Sequence, residues 1–431
     1  MESSKGIPWT SVGLFHRGTV ETREQWPVTI LIGSGQADDE YWATVGRREI
    51  ERLSKNRFQT EVVYSKDWRL TGSGAIDMTV HAPDLEMGAS FGPAGLKGGA
   101  TLGGFIKFVP EGQQEPLNLA ITNHHVAIPS CSDIAVMDNR RSVTADSLPP
   151  GLAMPRFTSP TEDDHHEPEK SLRADKDAFE YLLEHLEAHL DRLVEGTREE
   201  TATSTLKNTV KRVFDLKAAL LSKEEEIDLV AKHTLQVGTA LATSGHRLHI
   251  APIDYQSTKT GNWLLDWAAP QERKGGKSTK TRLLDGSTAN EYVVLDTRRE
   301  YQVAFRGRTS GWEFGEVNST VSILNAFTDS TPSEIPGAIS RKYAVTPEEP
   351  GYSWAITPRW GYVAREPCRP GDSGSVVLLD PTDVAMEAKW VGLLFGHEQD
   401  SVAYMTPIDM VIQDMEMVLK GKIVSPVRVE L

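Results

Sequence analysis

Arg369-Pro370-Gly371-Asp372-Ser373-Gly374-Ser375 is the stretch on which the reading of this chain turns. Glycines flanking Ser373 let the backbone fold into a tight turn. Such a turn exposes the serine hydroxyl and aims the N–H groups of Gly371 and Ser373 at one point, where a developing oxyanion is stabilised. Asp372 is expected to face away from that point. The apolar run Val376-Val377-Leu378-Leu379 reads as a strand, so the plain alternative is a Gly/Ser loop leading into it.

A serine hydroxyl is a poor nucleophile until a base takes its proton, and an imidazole does so best when a third group fixes its tautomer. Leu119 to Ala127 reads as an apolar strand ending in a polar turn that carries His124 and His125. His125 is the candidate base. Strand alternation sends His124 to the opposite face, as a solvated or packed ring. Two aspartates compete for the third role. Asp133 lies eight positions after His125, too near for a separate strand to return beneath the ring, and reads as a turn or strand-edge residue. Asp266 sits in Trp263-Leu264-Leu265-Asp266-Trp267, an apolar run where a carboxylate is costly unless hydrogen-bonded. Accepting His125 Nδ1–H would meet that need; the alternative is a turn cap beside a tryptophan.

These residues, in the order His, Asp, Ser, resemble the chymotrypsin-like serine proteases of the trypsin superfamily. Thr122-Asn123-His124-His125-Val126 is similar to the Thr-Asn-x-His-Val signature of bacterial-type and organellar members. Gly99 to Phe105, Ala242 to Arg247 and Leu265 to Ala268 look like uncharacterised intracellular trypsin-like proteins of filamentous fungi. Arg306 to Trp312, with Gly315 and Val317, resembles the hairpin that opens the second barrel, and Val391 to Gly396 the substrate-binding strand. The resemblance spans about residues 88–130 and 235–415. It implies a mostly β fold of two six-stranded barrels, with His125, Asp266 and Ser373 as a triad in the cleft between them. The oxyanion hole would be Gly371 and Ser373. The floor of the primary pocket would lie near Pro367 and its walls near Leu394, Phe395 and Gly396. None of these is acidic, which favours an apolar or small residue before the scissile bond unless Glu398 or Asp400 intrudes. The implied reaction is peptide-bond hydrolysis through an acyl-enzyme, with no cofactor and no metal. The alternative is a latent or inactive protease-fold scaffold.

Composition fits that class. At 431 residues and 39% hydrophobic the chain can bury two or three cores. Met1 to Gly6 leads into no sustained apolar stretch, and no run approaches the roughly twenty apolar residues of a membrane helix, so an intracellular, cytoplasmic protein is expected. Cys131 and Cys368 are the only cysteines, which suits a reducing compartment and two packed thiols. A net charge of −15, from 46 basic and 61 acidic side chains, argues against nucleic acid or anionic membrane as partners. A protein or peptide substrate is the partner expected.

Three blocks and one insertion are expected along the chain. Residues 1–87 combine a poorly ordered tail to about 25 with a small βαβ module: strands near 28–32 and 60–64, and a helix over 39–53. Its Gly33-Ser34-Gly35 lacks the third glycine of a phosphate loop and reads as a turn. Residues 88–300 form the first barrel and 301–431 the second, closed by a helix over 408–419 behind Pro407. From about 160 to 235 the first barrel is interrupted. Phe179, Leu182, Leu183, Leu186, Leu190, Leu193 and Val194 mark one helical stripe, beginning near 172. Leu206, Val210, Val213, Phe214, Leu216, Leu220, Leu221, Ile227 and Val230 mark a second, with a break near Gly196. The result is a coiled-coil-like helical hairpin that separates His125 from Asp266 and offers a face for a regulatory protein or self-association. His185, Glu187 and His189 lack the spacing of a zinc motif.

Overall fold

The computed structural model describes residues 9–17, 27–34, 36–55, 57–64, 68–70, 85–96, 98–127, 142–148, 150–196, 201–232, 236–244, 251–255, 289–296, 299–324, 351–358, 368–380, 388–398 and 402–430. Within the tail expected to be poorly ordered, β1 (Ser11–His16) is a strand with alternate residues buried. It pairs antiparallel along its whole length with β2 (Val28–Ser34). A short π-helical turn at Trp42–Gly46 continues into α1 (Arg47–Leu53), and the chain returns as β3 (Gln59–Tyr64), parallel to β2. The three-residue β4 (Trp68–Leu70) follows.

The next elements are β5 (Ser90–Pro93), β6 (Ala100–Thr101), β7 (Gly104–Pro110), β8 (Leu117–Thr122), α2 (His124–Ala127), β9 (Val143–Thr144) and β10 (Arg156–Thr158). After the helices α3 (Glu162–Gly196) and α4 (Thr201–Lys232) come β11 (Gln236–Ala240), β12 (Ala242–Thr243) and β13 (Ala251–Tyr255). Their sheet runs β7-β8-β13-β11-β10-β5-β6, with β9 and β12 as a separate pair. Its core is apolar, with Phe91 stacked on Phe157 at 4.8 Å among Leu102, Phe105, Ala120 and Val126. Among the described residues this pairing stays open and does not form a six-stranded ring.

The helical hairpin is present, and its first helix starts at Glu162, about ten residues earlier than the apolar stripe suggested. The polar segment ahead of the stripe is a helix start: the Asp164 N–H donates to Thr161 Oγ1 at 3.4 Å, and Glu162, Asp163 and Asp164 occupy the positive end of the helix dipole. Ion pairs Lys176–Glu224 (3.1 Å) and Lys217–Glu187 (2.7 Å) fix the two helices antiparallel. The covered seam is Leu172, Lys176, Phe179, Leu183, Leu186 and Leu190 against Val213, Leu216, Leu220, Lys223, Ile227 and Val230, at three- and four-residue spacings. Leu182, Val194, Phe214 and Leu221, assigned to the stripes from sequence, are exposed on the outside.

The remaining elements are β14 (Glu291–Tyr292), β15 (Tyr301–Gly307), β16 (Gly311–Leu324), β17 (Gly351–Pro358), β18 (Val376–Leu379), β19 (Lys389–Glu398), β20 (Val402–Pro407), α5 (Ile408–Leu419), β21 (Gly421–Ser425) and β22 (Val427–Arg428). Strands β15-β18-β19-β20-β17-β16 pair in that order, all antiparallel, and β16 pairs back with β15, closing a six-stranded barrel. Phe305, Val317, Ile356, Val377, Val391, Leu394 and Met405 fill it. β16 runs 14 residues and outreaches the ring; its last residues pair with β1, so β1, β2 and β3 continue the barrel wall. The amphipathic α5 buries Ile408, Val411, Ile412 and Met415 in a cluster that joins Ile106, Phe108, Leu119 and Ile121 of the first sheet to Leu378 and Trp390 of the barrel. The chain then crosses back, and β21 pairs antiparallel with β7. No described helix is long and apolar enough to cross a membrane.

Candidate active site

Ser373 lies on the loop that leads into β18, and the loop's shape comes from residues on either side of it. Gly371 (φ 105°) and Gly374 (φ 97°) hold left-handed backbone angles that favour glycine. Between them Asp372 is fully buried and turned into the protein. Its carboxylate accepts hydrogen bonds from the N–H groups of Arg369 (2.7 Å), Thr309 (2.9 Å) and Ser310 (3.0 Å) and from Ser310 Oγ (2.6 Å). The tight turn between β15 and β16 thus clasps the nucleophile loop. It can approach because Gly307 has no side chain: a Cβ there would run into the Asp372 carboxylate. Burial pushes the Asp372 carboxyl above the usual aspartate range, against the opposing pull of these donors.

Thr101 ties the loop to the first sheet. Its N–H donates to the Ser373 carbonyl at 2.8 Å, and its hydroxyl donates to the Gly371 carbonyl at 2.9 Å while accepting the Arg308 N–H at 2.9 Å. The Arg308 side chain, in turn, forms a two-pronged ion pair with Asp164 of α3, which also accepts the Ser90 hydroxyl. The root of the helical hairpin is therefore joined to the nucleophile loop through buried polar groups.

His125 stands not on a strand edge but on the single helical turn α2, whose Val126 and Ala127 N–H groups both donate to the Asn123 carbonyl at 3.1 Å. Asn123 Nδ2 donates to the Leu394 carbonyl at 2.6 Å, fixing that turn against β19. His125 Nε2 then lies 3.0 Å from Ser373 Oγ. The ring is half-buried, whereas His124 is fully buried on the other side of the turn. Ser373 Oγ is also 2.9 Å from the Phe395 carbonyl. The hydroxyl has one hydrogen, so its recipient, imidazole or carbonyl, follows the His125 tautomer.

Asp266, the sequence's candidate for the third member, lies outside the described residues, as do its competitor Asp133, Pro367, Asp400 and Cys131. Of the expected pocket walls, the Leu394 side chain packs in the barrel core and Phe395 joins Phe15, Leu31 and Tyr404 in the cluster beneath the N-terminal strands. What they offer the site is backbone: the Leu394 carbonyl accepts from Gly374 N–H and Asn123 Nδ2, and the Phe395 carbonyl lies against Ser373 Oγ. Gly396 belongs to the same strand. Glu398 is buried and committed elsewhere: it accepts the hydroxyls of Thr10 (3.1 Å), Ser11 (2.7 Å) and Tyr404 (2.8 Å). Gly33, part of the glycine pair that superficially suggested a phosphate loop, leaves room for that carboxylate. Cys368 is buried with its sulfur 4.0 Å from the Gly396 carbonyl.

Sequence reasoning assigned no role to Asn123, Thr101, Arg308, Thr309 or Ser310. The run Gly307-Arg308-Thr309-Ser310-Gly311 carried a turn signal, but nothing in it names Asp372 as its partner. Of possible metal ligands, Glu187 is paired with Lys217. A second group, His165, His166 and Glu169, shares one end of α3. There Arg173 hydrogen-bonds the Glu169 carboxylate at 2.8 Å and holds it below its ordinary pKa, and Lys170 adds a further positive charge nearby, a poor setting for a cation.

No protein-family profile and no curated protein sequence matches the chain. Among solved structures it is similar to a glutamic-acid-specific serine protease described as using a histidine triad in substrate binding, at 10% identity and a TM-score of 0.33, covering 79% of this chain and 100% of the other. A likeness of that degree is too slight to carry an argument.

Proposed function

We propose that the chain is a serine endopeptidase acting through an acyl-enzyme. The observation that supports this most is the 3.0 Å contact between His125 Nε2 and Ser373 Oγ, made by residues 248 positions apart, on a loop with left-handed glycines on both sides of the serine. In this reading His125 Nε2 takes the hydroxyl proton as Ser373 Oγ attacks the substrate carbonyl carbon. The N–H groups of Gly371 and Ser373 hold the oxyanion, and His125 passes the proton to the leaving amine as the C–N bond breaks. Water then hydrolyses the ester by the same route. Asp266 is assigned to orient His125. We take the closed ring as the second barrel of a chymotrypsin-like pair and the open sheet as the first, with the substrate along β19 and an apolar or small residue preceding the scissile bond. Glu398, taken up by three hydroxyls, is assigned no contact with that residue. We place the enzyme in the cytoplasm, where two cysteines need not pair.

The test is labelling with a fluorophosphonate, mapped by mass spectrometry, beside Ser373→Ala and His125→Ala. Modification at Ser373, lost in both variants, is the expected result. Peptide hydrolysis should fall by several orders of magnitude in either. Silence in a folded wild-type sample would overturn the assignment in favour of a non-catalytic scaffold working through the helical hairpin.

A further inference from the structure

Strand β19 has two edges. One is filled by β20 from Gly392 to Glu398. The other has three successive partners. From Lys389 to Leu393 it pairs with β18. At Leu394 and Phe395 it meets the catalytic groups: Gly374 N–H and Asn123 Nδ2 donate to the Leu394 carbonyl, and Ser373 Oγ lies against that of Phe395. From Gly396 to Glu398 it pairs antiparallel with β4, in the register Gly396 to Leu70, His397 to Arg69 and Glu398 to Trp68. Because β20 already holds the opposite edge at these residues, β4 must lie on the nucleophile's side.

We infer that β4 is an internal occupant of the peptide-binding edge, a segment of the chain's own N-terminal region laid where an extended substrate would pair. The inference rests on the proposed reading of Ser373 as nucleophile and concerns the regulation of that site. Polarity supports it. In this register the chain direction of β4 leads from Glu398 toward Phe395, so Leu70 is the residue nearest Ser373. An extended peptide added to the same edge in the same direction would bring a carbonyl C-terminal to its paired residues up to Ser373 Oγ. Peptide and β4 therefore compete for one set of backbone groups. A second observation ties the same stretch to the N-terminal region: the Glu398 carboxylate, opposite Trp68, accepts the hydroxyls of Thr10 and Ser11 at the head of β1. Three paired residues make a weak latch, suited to displacement rather than permanent closure.

The experiment compares the full-length protein with an Arg69→Pro/Leu70→Pro variant. Adjacent residues of a strand point their N–H groups to opposite sides, so the double change removes the ladder donor whichever residue supplies it. Hydrogen exchange at Gly396–Glu398, fluorophosphonate labelling at Ser373 and hydrolysis of an unfolded protein substrate are measured together. The expected result is loss of protection at those amides of 396–398 that point away from β20, labelling by the small probe within about threefold of the wild type, and a rise of about tenfold or more in kcat/KM for the protein substrate. Unchanged hydrolysis in a variant that has lost the protection would overturn the inference while leaving the nucleophile intact. Retained protection would mean that β4 is not what covers the edge, and overturns it equally. Absence of labelling in both proteins would instead remove Ser373 as a nucleophile, and the inference would fall with it.

Discussion

Replacing Asp164 by alanine tests whether the buried link between the helical hairpin and the nucleophile loop is as closed as it looks. The Arg308 and Asp164 side chains are only 2% and 1% exposed, and the guanidinium meets the carboxylate through Nε and Nη2 together. Removing the carboxylate leaves a guanidinium charge buried and strips the Ser90 hydroxyl of its acceptor. A broken buried pair of this kind costs about 3–5 kcal/mol. Asp164→Asn keeps one acceptor oxygen and should cost less, about 1.5–3 kcal/mol. The decisive comparison is Asp164→Leu with Arg308→Met. Together they leave no orphaned charge, so the double variant should be less destabilised than the sum of the two single changes by at least about 2 kcal/mol. Urea unfolding followed by tryptophan fluorescence gives all four corners of the cycle, and fluorophosphonate labelling gives the effect on Ser373. Labelling should slow in the single variants, because Arg308 also donates its N–H to the Thr101 hydroxyl that holds the Gly371 carbonyl. Additive losses, or a cost below about 1 kcal/mol for Asp164→Ala, would refute the picture of a dry, mutually dependent pair.

Three shorter expectations follow from the same geometry. Gly374→Ala would place a Cβ at φ 97° against the Thr101 carbonyl, so labelling of Ser373 should be abolished and stability should fall by at least about 1–3 kcal/mol in the same urea assay. Asp372→Asn sets an amide NH2 against the Arg369 N–H or the Thr309 and Ser310 N–H groups, at a cost of about 1–3 kcal/mol. Its pH dependence has a defined sign: because burial raises the folded pKa of Asp372, the folded state holds this proton more tightly than the unfolded one. That contribution is full below the ordinary value of 3.8 and is lost as pH rises through the raised value, so wild type should lose stability relative to Asp372→Asn across that window. A wild-type advantage that instead grows with pH would show that the donated hydrogen bonds outweigh burial. Glu398→Gln should cost about 1–2 kcal/mol and speed amide exchange along β1, since two of the three hydroxyls on Glu398 come from its head.

Local signals in the sequence carried the βαβ core of the N-terminal region, the helical hairpin and α5, because glycine turns, apolar periodicity and an entry proline act over a few residues. Ser373 and His125 were legible as candidates for the same reason. What stayed hidden depends on partners far along the chain. Ser11–His16 pairs along its whole length with β2, but its place in the barrel wall comes from the overhang of β16, met at Ser11 and Val12 across some 300 positions, which its own short alternation does not announce. The start of α3 was read late because Glu162, Asp163 and Asp164 are polar and precede the apolar stripe, although Thr161 and that acidic run are themselves helix-start signals. Leu394 and Phe395 look like pocket walls in a motif, yet their side chains serve two different cores and only their carbonyls reach the site.

The return of β21 to β7 bears on the order in which the two cores join during synthesis. The sheet beside His125 acquires its outermost strand only from Gly421–Ser425, which follow the whole barrel in the chain. Until then β7 presents a bare edge, and Ile106 and Phe108 lack their cover from α5. A ribosome-bound chain ending between residues 374 and 407 would carry both His125 and Ser373 without the element that joins the cores beneath them. Assembly of the pair is in this way deferred until residues 408–425 have emerged, and truncation ahead of residue 408 should behave as a folding failure.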